Sequence, residues 1–216
     1  IDFAKKNNIE IPTLCFLKNV NEPASCRICV VEVEGARNLV TACTTKVRAG
    51  MVVKTNTVKV IKARKNALEL LLSNHNKNCL NCPKNLKCDF QSLYEKFHCN
   101  TEKYAGDVSL NKIDDTNHAL VRDDSKCILC GKCVAVCAQR QGCHAIAKIN
   151  RGFDTKIGTA FERDMQNSAC VGCGQCILVC PTGALTEKDL TNALVALDFV
   201  EGNLGVTEAP EEWGGE

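Results

Sequence analysis

The sequence predicts an α+β protein assembled from several small modules. Short runs rich in β-branched residues, at 28–33, 39–42 and 51–54, are typical of strands, whereas residues 58–73 have the apolar spacing of an amphipathic helix. Aromatic residues make up only 5% of the 216, so the hydrophobic core is thin. The 17 cysteines fall into four groups separated by cysteine-free stretches. Because metal ligation in a site absent from the unfolded chain adds to the folding free energy, we expect bound metal to stabilise these modules.

The compartment follows from how the cysteines are used. An odd count of 17 fits pairwise bridging poorly, and the N-terminal residues contain no apolar signal-peptide segment. A formal net charge of +2 does not suggest a nucleic-acid binder. No apolar run approaches the roughly 20 residues that span a membrane. We therefore expect reduced thiolates in a cytoplasmic protein that has no nucleic-acid partner and no membrane span.

The first cysteine group lies among the β-rich runs and consists of Cys15, Cys26, Cys29 and Cys43. A Glu34-Gly35 turn joins the runs at 28–33 and 39–42, which predicts a small mixed sheet. One close pair with two more distant cysteines is similar to the pattern by which plant-type proteins hold a [2Fe–2S] cluster. A zinc knuckle is the alternative that these four residues alone leave open.

The second group follows the predicted helix. Apolar side chains that include Ile61, Leu68 and Leu72 define the buried face of this helix, and residues 73–74 are expected to end it. Behind it come one histidine and three cysteines: His75, Cys79, Cys82 and Cys88. A lone histidine after a helix is most often a surface or capping residue, so these residues by themselves leave its role open.

The third and fourth groups are an internal repeat. Each follows the C-x2-C-x2-C-x3-C run of bacterial ferredoxins, in which three thiolates hold one [4Fe–4S] cluster and the fourth reaches the other cluster. The crossed ligand sets predicted in this way are Cys127, Cys130, Cys133 with Cys180, and Cys170, Cys173, Cys176 with Cys137. The second run keeps the usual proline at Pro181, whereas the first has Ala138. A pair of zinc sites is the alternative, but zinc favours two separated cysteine pairs.

The four groups together resemble one particular family. The repeat resembles the two-cluster ferredoxin domain. The first group, Cys-x10-Cys-x2-Cys-x13-Cys, looks like the [2Fe–2S] domain at the start of [FeFe]-hydrogenases. The same domain opens the large iron–sulfur subunit of NADH dehydrogenase and several NAD-dependent formate dehydrogenases. The spacing His-x3-Cys-x2-Cys-x5-Cys looks like the His/Cys3 [4Fe–4S] module that follows it. The resemblance covers about residues 1–190.

The resemblance implies a domain order. In this order, the chain comprises a truncated β-grasp [2Fe–2S] domain without its first hairpin, a helix with the His/Cys3 module, a linker, a bacterial 2[4Fe–4S] ferredoxin-like domain and an acidic tail. The boundaries expected are 1–57, 58–100, 101–118, 119–190 and 191–216. Within the ferredoxin-like domain, residues 151–158 are predicted to form a hairpin-like insertion. Residues 190–200, at the start of the acidic tail, are predicted to form a short helix.

The resemblance also implies one [2Fe–2S] and three [4Fe–4S] clusters, which need sixteen protein ligands. The four groups supply fifteen cysteines, so His75 is the expected sixteenth ligand. His98 competes for this role, but its spacing matches nothing in the family. Cys99 and Cys143 remain outside the four groups, and we expect them to pack as small apolar side chains.

The sequence contains no dinucleotide fingerprint, phosphate loop or Ser/His/Asp arrangement. We therefore expect no catalytic site of its own. The chain is expected to be a subunit that relays electrons. The donor or acceptor on one side is a flavin- or NAD(P)H-handling subunit, or soluble ferredoxin, and on the other side a catalytic subunit. Two alternatives remain: an N-terminal piece of an [FeFe]-hydrogenase or formate dehydrogenase, and a zinc-stabilised interaction module. The acidic tail with Trp213 is either a docking segment or a solvated end.

Overall fold

The computed structural model describes residues 1–104, 106–109 and 112–188. The expected helix at 190–200 and the acidic tail lie outside the described residues. Within them the mixture of helix and strand matches the predicted α+β class. The helices are Asp2–Lys6 (α1), Val58–Ser73 (α2), Asp89–Lys96 (α3), Lys132–Val136 (α4) and Gln175–Val179 (α5). The strands are Val30–Val33 (β1), Val40–Thr41 (β2), Val53–Lys54 (β3), Ile113–Asp114 (β4), Leu120–Asp123 (β5), Ala147–Ile149 (β6), Lys156–Gly158 (β7) and Leu185–Glu187 (β8).

The first sheet has the order β2-β1-β3. Both pairings are antiparallel, with Val30 opposite Thr41 and Glu32 opposite Lys54. The prediction of a mixed sheet was therefore wrong. A parallel pair needs a crossover of a dozen or more residues, and the connection from β1 to β2, turning at Gly35 with φ +81°, is too short for one.

Helix α2 begins and ends where the sequence predicts. Thr57 caps its first turn, since the backbone N–H of Val60 donates to the Thr57 hydroxyl at 3.3 Å. Its buried stripe runs through Val60, Leu68 and Leu72, at intervals that are multiples of four residues. The expected place of Ile61 on this stripe was wrong: it is 38% exposed, because one residue along a helix turns it about 100° away from Val60.

One apolar core joins cysteines from three of the four groups. Leu14, Ile28, Leu68 and Phe90 are completely buried at its centre. The buried cysteines that pack with them are Cys15, Cys26, Cys88 and Cys130. The loops that carry Cys15 and Cys26, helices α2 and α3, and the first cysteine loop of the repeat thus share a single core.

The remainder of the chain is organised around the sheet β4-β5-β8, which is antiparallel. Strand β4 lies inside residues 101–118, the predicted linker. It is anchored there by Asp114, which is 1% exposed and accepts a hydrogen bond from the backbone N–H of Met165 at 2.9 Å. Strands β6 and β7 form the hairpin predicted around residues 151–158. No helix in the described ranges is long and apolar enough to cross a membrane.

Candidate metal centres

The first site forms where the N-terminal sheet brings distant cysteines together. Cys29 directly precedes β1, and Cys43 lies two residues beyond β2. The antiparallel pairing continues past the strands, with the N–H of Ala42 donating to the Cys29 carbonyl at 3.1 Å. The Cys29 and Cys43 sulfur atoms are consequently 3.4 Å apart. Cys15 and Cys26 are also buried, and their thiols are hydrogen-bonded to each other.

The four thiols of this site interact electrostatically. The hydrogen bond from the Cys26 thiol lowers the pKa of Cys15, and the same contact, with burial, raises the pKa of Cys26. Burial raises the pKa of Cys43 to about 12, and the negative charges of Cys29 and Cys15 add to that rise. Four thiolates this close repel one another unless a cationic core binds them, and bound metal deprotonates a coordinating thiol outright. The donor set therefore fits an iron–sulfur group.

His75 lies directly after α2, in a position that fits a ligand. Its ring meets Phe90 edge-on, with 5.0 Å between the ring centroids. Its Nδ1 atom is buried and has no hydrogen-bond partner among the described residues. Burial lowers the pKa of His75 to about 4, with the negative charge of Asp123 opposing the shift. A neutral imidazole with a buried, unpartnered nitrogen is what a metal ligand requires.

The three cysteines behind His75 interact with one another and with their surroundings. Burial raises the pKa of Cys88, and the charges of Cys82 and Cys79 add to the effect. The Cys88 sulfur caps α3 by accepting from the backbone N–H of Gln91 at 3.4 Å. The Cys79 sulfur lies 3.3 Å from the Tyr94 hydroxyl. The charges of these three cysteines thus interact, and Cys88 lies at the start of α3.

The repeat forms two cavities beside the adjacent helices α4 and α5. A left-handed glycine precedes each helix, Gly131 with φ +80° and Gly174 with φ +72°, so each three-cysteine loop reverses in the same way. Among the residues lining one cavity are Cys127, Cys130, Cys133 and Cys180. Among those lining the other are Cys170, Cys173, Cys176 and Cys137. The cavity walls group the cysteines as the crossed sets do, and ligation of a cluster by each set stays a prediction.

Burial favours neutral thiols in both cavities when no metal is bound. It raises the pKa of Cys127 to about 12, that of Cys130 to about 11 and that of Cys176 to about 12. The pKa of Cys133 is raised well above its ordinary value for the same reason. These groups become thiolates only if a metal core compensates their charge.

The arrangement of the cysteines can be compared with what a single zinc ion requires. Throughout the described ranges, no three His, Cys, Asp or Glu side chains converge closely enough to hold a single metal ion. A structural zinc ion needs four ligands at about 2.0–2.3 Å from one centre. A cluster of several irons instead takes its thiolates at separate corners, so the cysteines around it do not have to converge on one point.

Two polar residues beside these sites were missed by sequence reasoning. The Asn21 side chain donates to the carbonyls of Cys15, at 2.7 Å, and of Cys130, at 3.1 Å. No local sequence pattern predicts the contact with Cys130, since that residue lies 109 positions after Asn21. Arg64 occupies the buried stripe of α2 and is 2% exposed. The sequence could have indicated this residue, because a cation four residues after Val60 and four before Leu68 falls on the apolar stripe of α2.

The two cysteines outside the groups differ in their surroundings. Cys99 packs at the edge of the shared apolar core, as expected for a small apolar side chain. Cys143 is half-buried and lines the same cavity as Cys137 and Cys170. Its backbone N–H donates to the Cys137 carbonyl at 3.1 Å, which holds it beside the second cysteine set of the repeat.

Three sequence-family models match successive parts of the chain. Residues 1–58 match a 2Fe-2S iron-sulfur cluster binding domain. Residues 64–103 match the NADH-ubiquinone oxidoreductase-G iron-sulfur binding region, and residues 126–184 match a 4Fe-4S dicluster domain. The three matches follow the order of the cysteine groups.

Curated relatives and a solved structure extend these matches. The NADP-reducing hydrogenase subunit HndD of Solidesulfovibrio fructosivorans is 45% identical over 194 residues, covering 88% of this chain and 33% of the relative. Iron hydrogenase 1 of Clostridium pasteurianum is 38% identical over 213 residues, covering 97% of this chain and 37% of the relative. The chain thus spans about a third of the length of these relatives. An NAD+-reducing [NiFe]-hydrogenase structure aligns with TM-score 0.79 and 27% identity, over 87% of this chain and 79% of that one.

Proposed function

This chain carries the iron–sulfur region shared by hydrogenase subunits and the G subunit of NADH-ubiquinone oxidoreductase, and from that premise we propose that it relays single electrons through four clusters within a multi-subunit oxidoreductase. It has a [2Fe–2S] domain and [4Fe–4S] domains. The observation that carries the proposal is the lining of the two repeat cavities, because each combines three cysteines of one run with the last cysteine of the other.

We propose one [2Fe–2S] and three [4Fe–4S] clusters, held by sixteen side chains. The first is held by Cys15, Cys26, Cys29 and Cys43. The second is held by His75, Cys79, Cys82 and Cys88. The third and fourth are held by the crossed sets, Cys127, Cys130, Cys133 with Cys180, and Cys170, Cys173, Cys176 with Cys137. The unpartnered Nδ1 of His75 and the interacting thiols of each group support these assignments.

When bound, clusters of these types carry one electron at a time at a potential that depends on ligands and surroundings. The residues of this chain supply the sites and their surroundings. Leu14 and Ile28 exclude water from the first site, since both are completely buried beside its cysteines. A neutral His75 carries less negative charge than a thiolate, which raises the potential at the second site relative to an all-cysteine site.

The contacts between sites support a branched order. Asn21 hydrogen-bonds the backbone of Cys15 and of Cys130, which joins the first site to the third. The Cys88 sulfur lies 3.4 Å from the Pro181 carbonyl, which joins the second site to the residue after Cys180 in the third. The third and fourth sites share the packed pair α4 and α5. We propose that the third site is the junction at which the two N-terminal sites meet.

The proposed partners are a flavin- or NAD(P)H-handling subunit and a catalytic subunit, or soluble ferredoxin, in the cytoplasm. The similarity to an NADP-reducing hydrogenase subunit and to an iron hydrogenase supports this class of partner. A second candidate is that the region serves a hydrogenase centre in a longer polypeptide, which the match to a third of iron hydrogenase 1 supports.

Metal analysis of the purified, anaerobically reconstituted chain tests the proposal. We expect about 14 iron and about 14 sulfide per chain, as one [2Fe–2S] and three [4Fe–4S] clusters require. EPR of the dithionite-reduced chain is expected to give a signal of the [2Fe–2S] type and signals of the [4Fe–4S] type. Stoichiometric zinc without sulfide would establish an interaction module instead.

A further inference from the structure

A permanently charged side chain lies inside the apolar stripe of α2. Arg64 is 2% exposed and follows Val60 by four residues on the buried face. The guanidinium group keeps its proton in proteins, so folding places a positive charge in the interior. Burial of this kind is costly unless an opposite charge compensates it.

The contacts of Arg64 leave its charge uncompensated by any carboxylate that the structure describes. Its Nη2 donates to the Val30 carbonyl at 2.8 Å, and its buried Nε has no hydrogen-bond partner in the described part of the chain. Desolvation lowers the pKa of Arg64, and the negative charge of Cys29 opposes that shift. Val30 is the neighbour of Cys29, so the guanidinium is held beside the first cysteine site.

We propose that Arg64 is the buried counter-charge of the [2Fe–2S] cluster held by Cys15, Cys26, Cys29 and Cys43, and that it raises the reduction potential of that cluster. The inference rests on the proposed function of this site. Four thiolates around a [2Fe–2S] core leave a net negative charge, which grows by one unit on reduction. A fixed cation in a region of low dielectric constant stabilises the reduced form more than the oxidised form.

Arg64 thus tunes the first site through its charge. Replacing it is expected to weaken electron binding in the loaded chain without lowering the thermal midpoint of the cluster-free chain. In the loaded chain, removal of the charge weakens electron affinity at the first site. In the cluster-free chain, the guanidinium has no full counter-charge, so removal of the charge leaves the thermal midpoint unchanged or raises it. A side chain that only fills space would lower the thermal midpoint in both states when it is replaced.

The experiment uses the full chain, reconstituted anaerobically, with Arg64→Met to remove the charge and Arg64→Lys to retain it. The control is Lys62→Met, which removes the same charge from the exposed side of α2. The [2Fe–2S] EPR signal is titrated with dithionite, which supplies the electron. For Arg64→Met we expect the electron affinity of the [2Fe–2S] cluster to fall at least tenfold. For one electron, a tenfold change lowers the reduction potential by about 59 mV. Arg64→Lys and Lys62→Met are expected to shift it less.

The outcomes separate this inference from the proposed function. Absence of a [2Fe–2S] signal from the unmodified chain overturns the proposed function of the site. A normal signal whose potential is unchanged in Arg64→Met overturns the role of Arg64 alone. If Arg64→Met loses the signal but keeps the [4Fe–4S] signals, Arg64→Lys decides: recovery of the signal supports a charge effect, and continued loss shows a requirement for shape.

Discussion

Gly183 lies so close to Cys82 that a Cβ atom at position 183 would be 2.6 Å from the Cys82 sulfur. Cys82 belongs to the second cysteine group, whereas Gly183 follows the last cysteine of the repeat by three residues. Real Cβ atoms do not approach other heavy atoms this closely. The absence of a side chain at Gly183 therefore lets the Cys82 sulfur pack directly against the backbone that follows Cys180.

Gly183→Ala is expected to displace the Cys82 sulfur and to cost about 1–3 kcal/mol of stability, as overpacking does. The measurement is the EPR signal and potential of the His75 site, together with urea unfolding. Gly106→Ala is the matched control, because a Cβ at Gly106 would meet nothing within 4 Å. Equal effects of the two substitutions would contradict the close approach.

His75→Cys is expected to retain a cluster but to lower its potential, because a thiolate adds negative charge where the imidazole was neutral. Redox-titrated EPR of the reconstituted chain is the measurement. His98→Cys, at an exposed position, is the control and should leave every signal unchanged. An unaltered titration for His75→Cys would remove His75 from the ligand set.

The stability of the cluster-free chain is expected to fall as the pH is lowered through the range between 6.5 and about 4. The folded-state pKa of His75 is lowered to about 4 by burial, so below 6.5 the unfolded chain binds a proton that the folded chain does not. The contribution is fully present above 6.5 and amounts to at most roughly 3 kcal/mol. Urea unfolding at several pH values, compared with His75→Gln, measures it. If both proteins lose stability equally, the assignment to His75 fails.

Cys137→Ser is expected to damage the cluster of the other run, held by Cys170, Cys173 and Cys176, and to spare the one beside its own run. The reason is that Cys137 lines the cavity of those three cysteines. EPR before and after reduction distinguishes the two sites, with Cys99→Ser as a control outside the four groups. Loss of the local cluster instead would overturn the crossed assignment.

Asn21→Ala is expected to cost about 1–3 kcal/mol, because it removes two hydrogen bonds and leaves the Cys15 and Cys130 carbonyls without this donor. It should also slow electron exchange between the first and third sites, which stopped-flow reduction can follow at the [2Fe–2S] absorption. Asn167→Ala, at an exposed position, is the control. Unchanged stability and rate would show that Asn21 does not join the two sites.

Local patterns in the sequence predicted much of this structure. The apolar spacing of α2 gave its bounds, and the two C-x2-C-x2-C-x3-C runs gave the cysteine sets that line the repeat cavities. Each prediction starts from a pattern of closely spaced residues, the helical period in one case and the cysteine run in the other. The Asn21–Cys130 contact, by contrast, depends on how separate modules pack, which no local period encodes.

Other features of the structure were not predicted, because there the local sequence pattern and the tertiary packing disagree. Ile61 has an apolar side chain but faces away from the stripe that Val60 sets. Arg64 has a polar side chain yet lies in that stripe, since its guanidinium donates to the Val30 carbonyl next to Cys29. Strand β4 has only two residues and Ile113 is 65% exposed, so its place in a sheet rests on the buried Asp114 carboxylate and not on an apolar side chain.

The shared apolar core has a consequence for how the protein matures. Cys15, Cys26, Cys88 and Cys130 come from three cysteine groups and are buried in the same interior. Binding of a cluster at one site therefore stabilises the interior that its neighbours share. We thus expect the clusters to be inserted cooperatively. When iron is limiting, cluster-free chains should accumulate, and not chains that carry only some of the clusters.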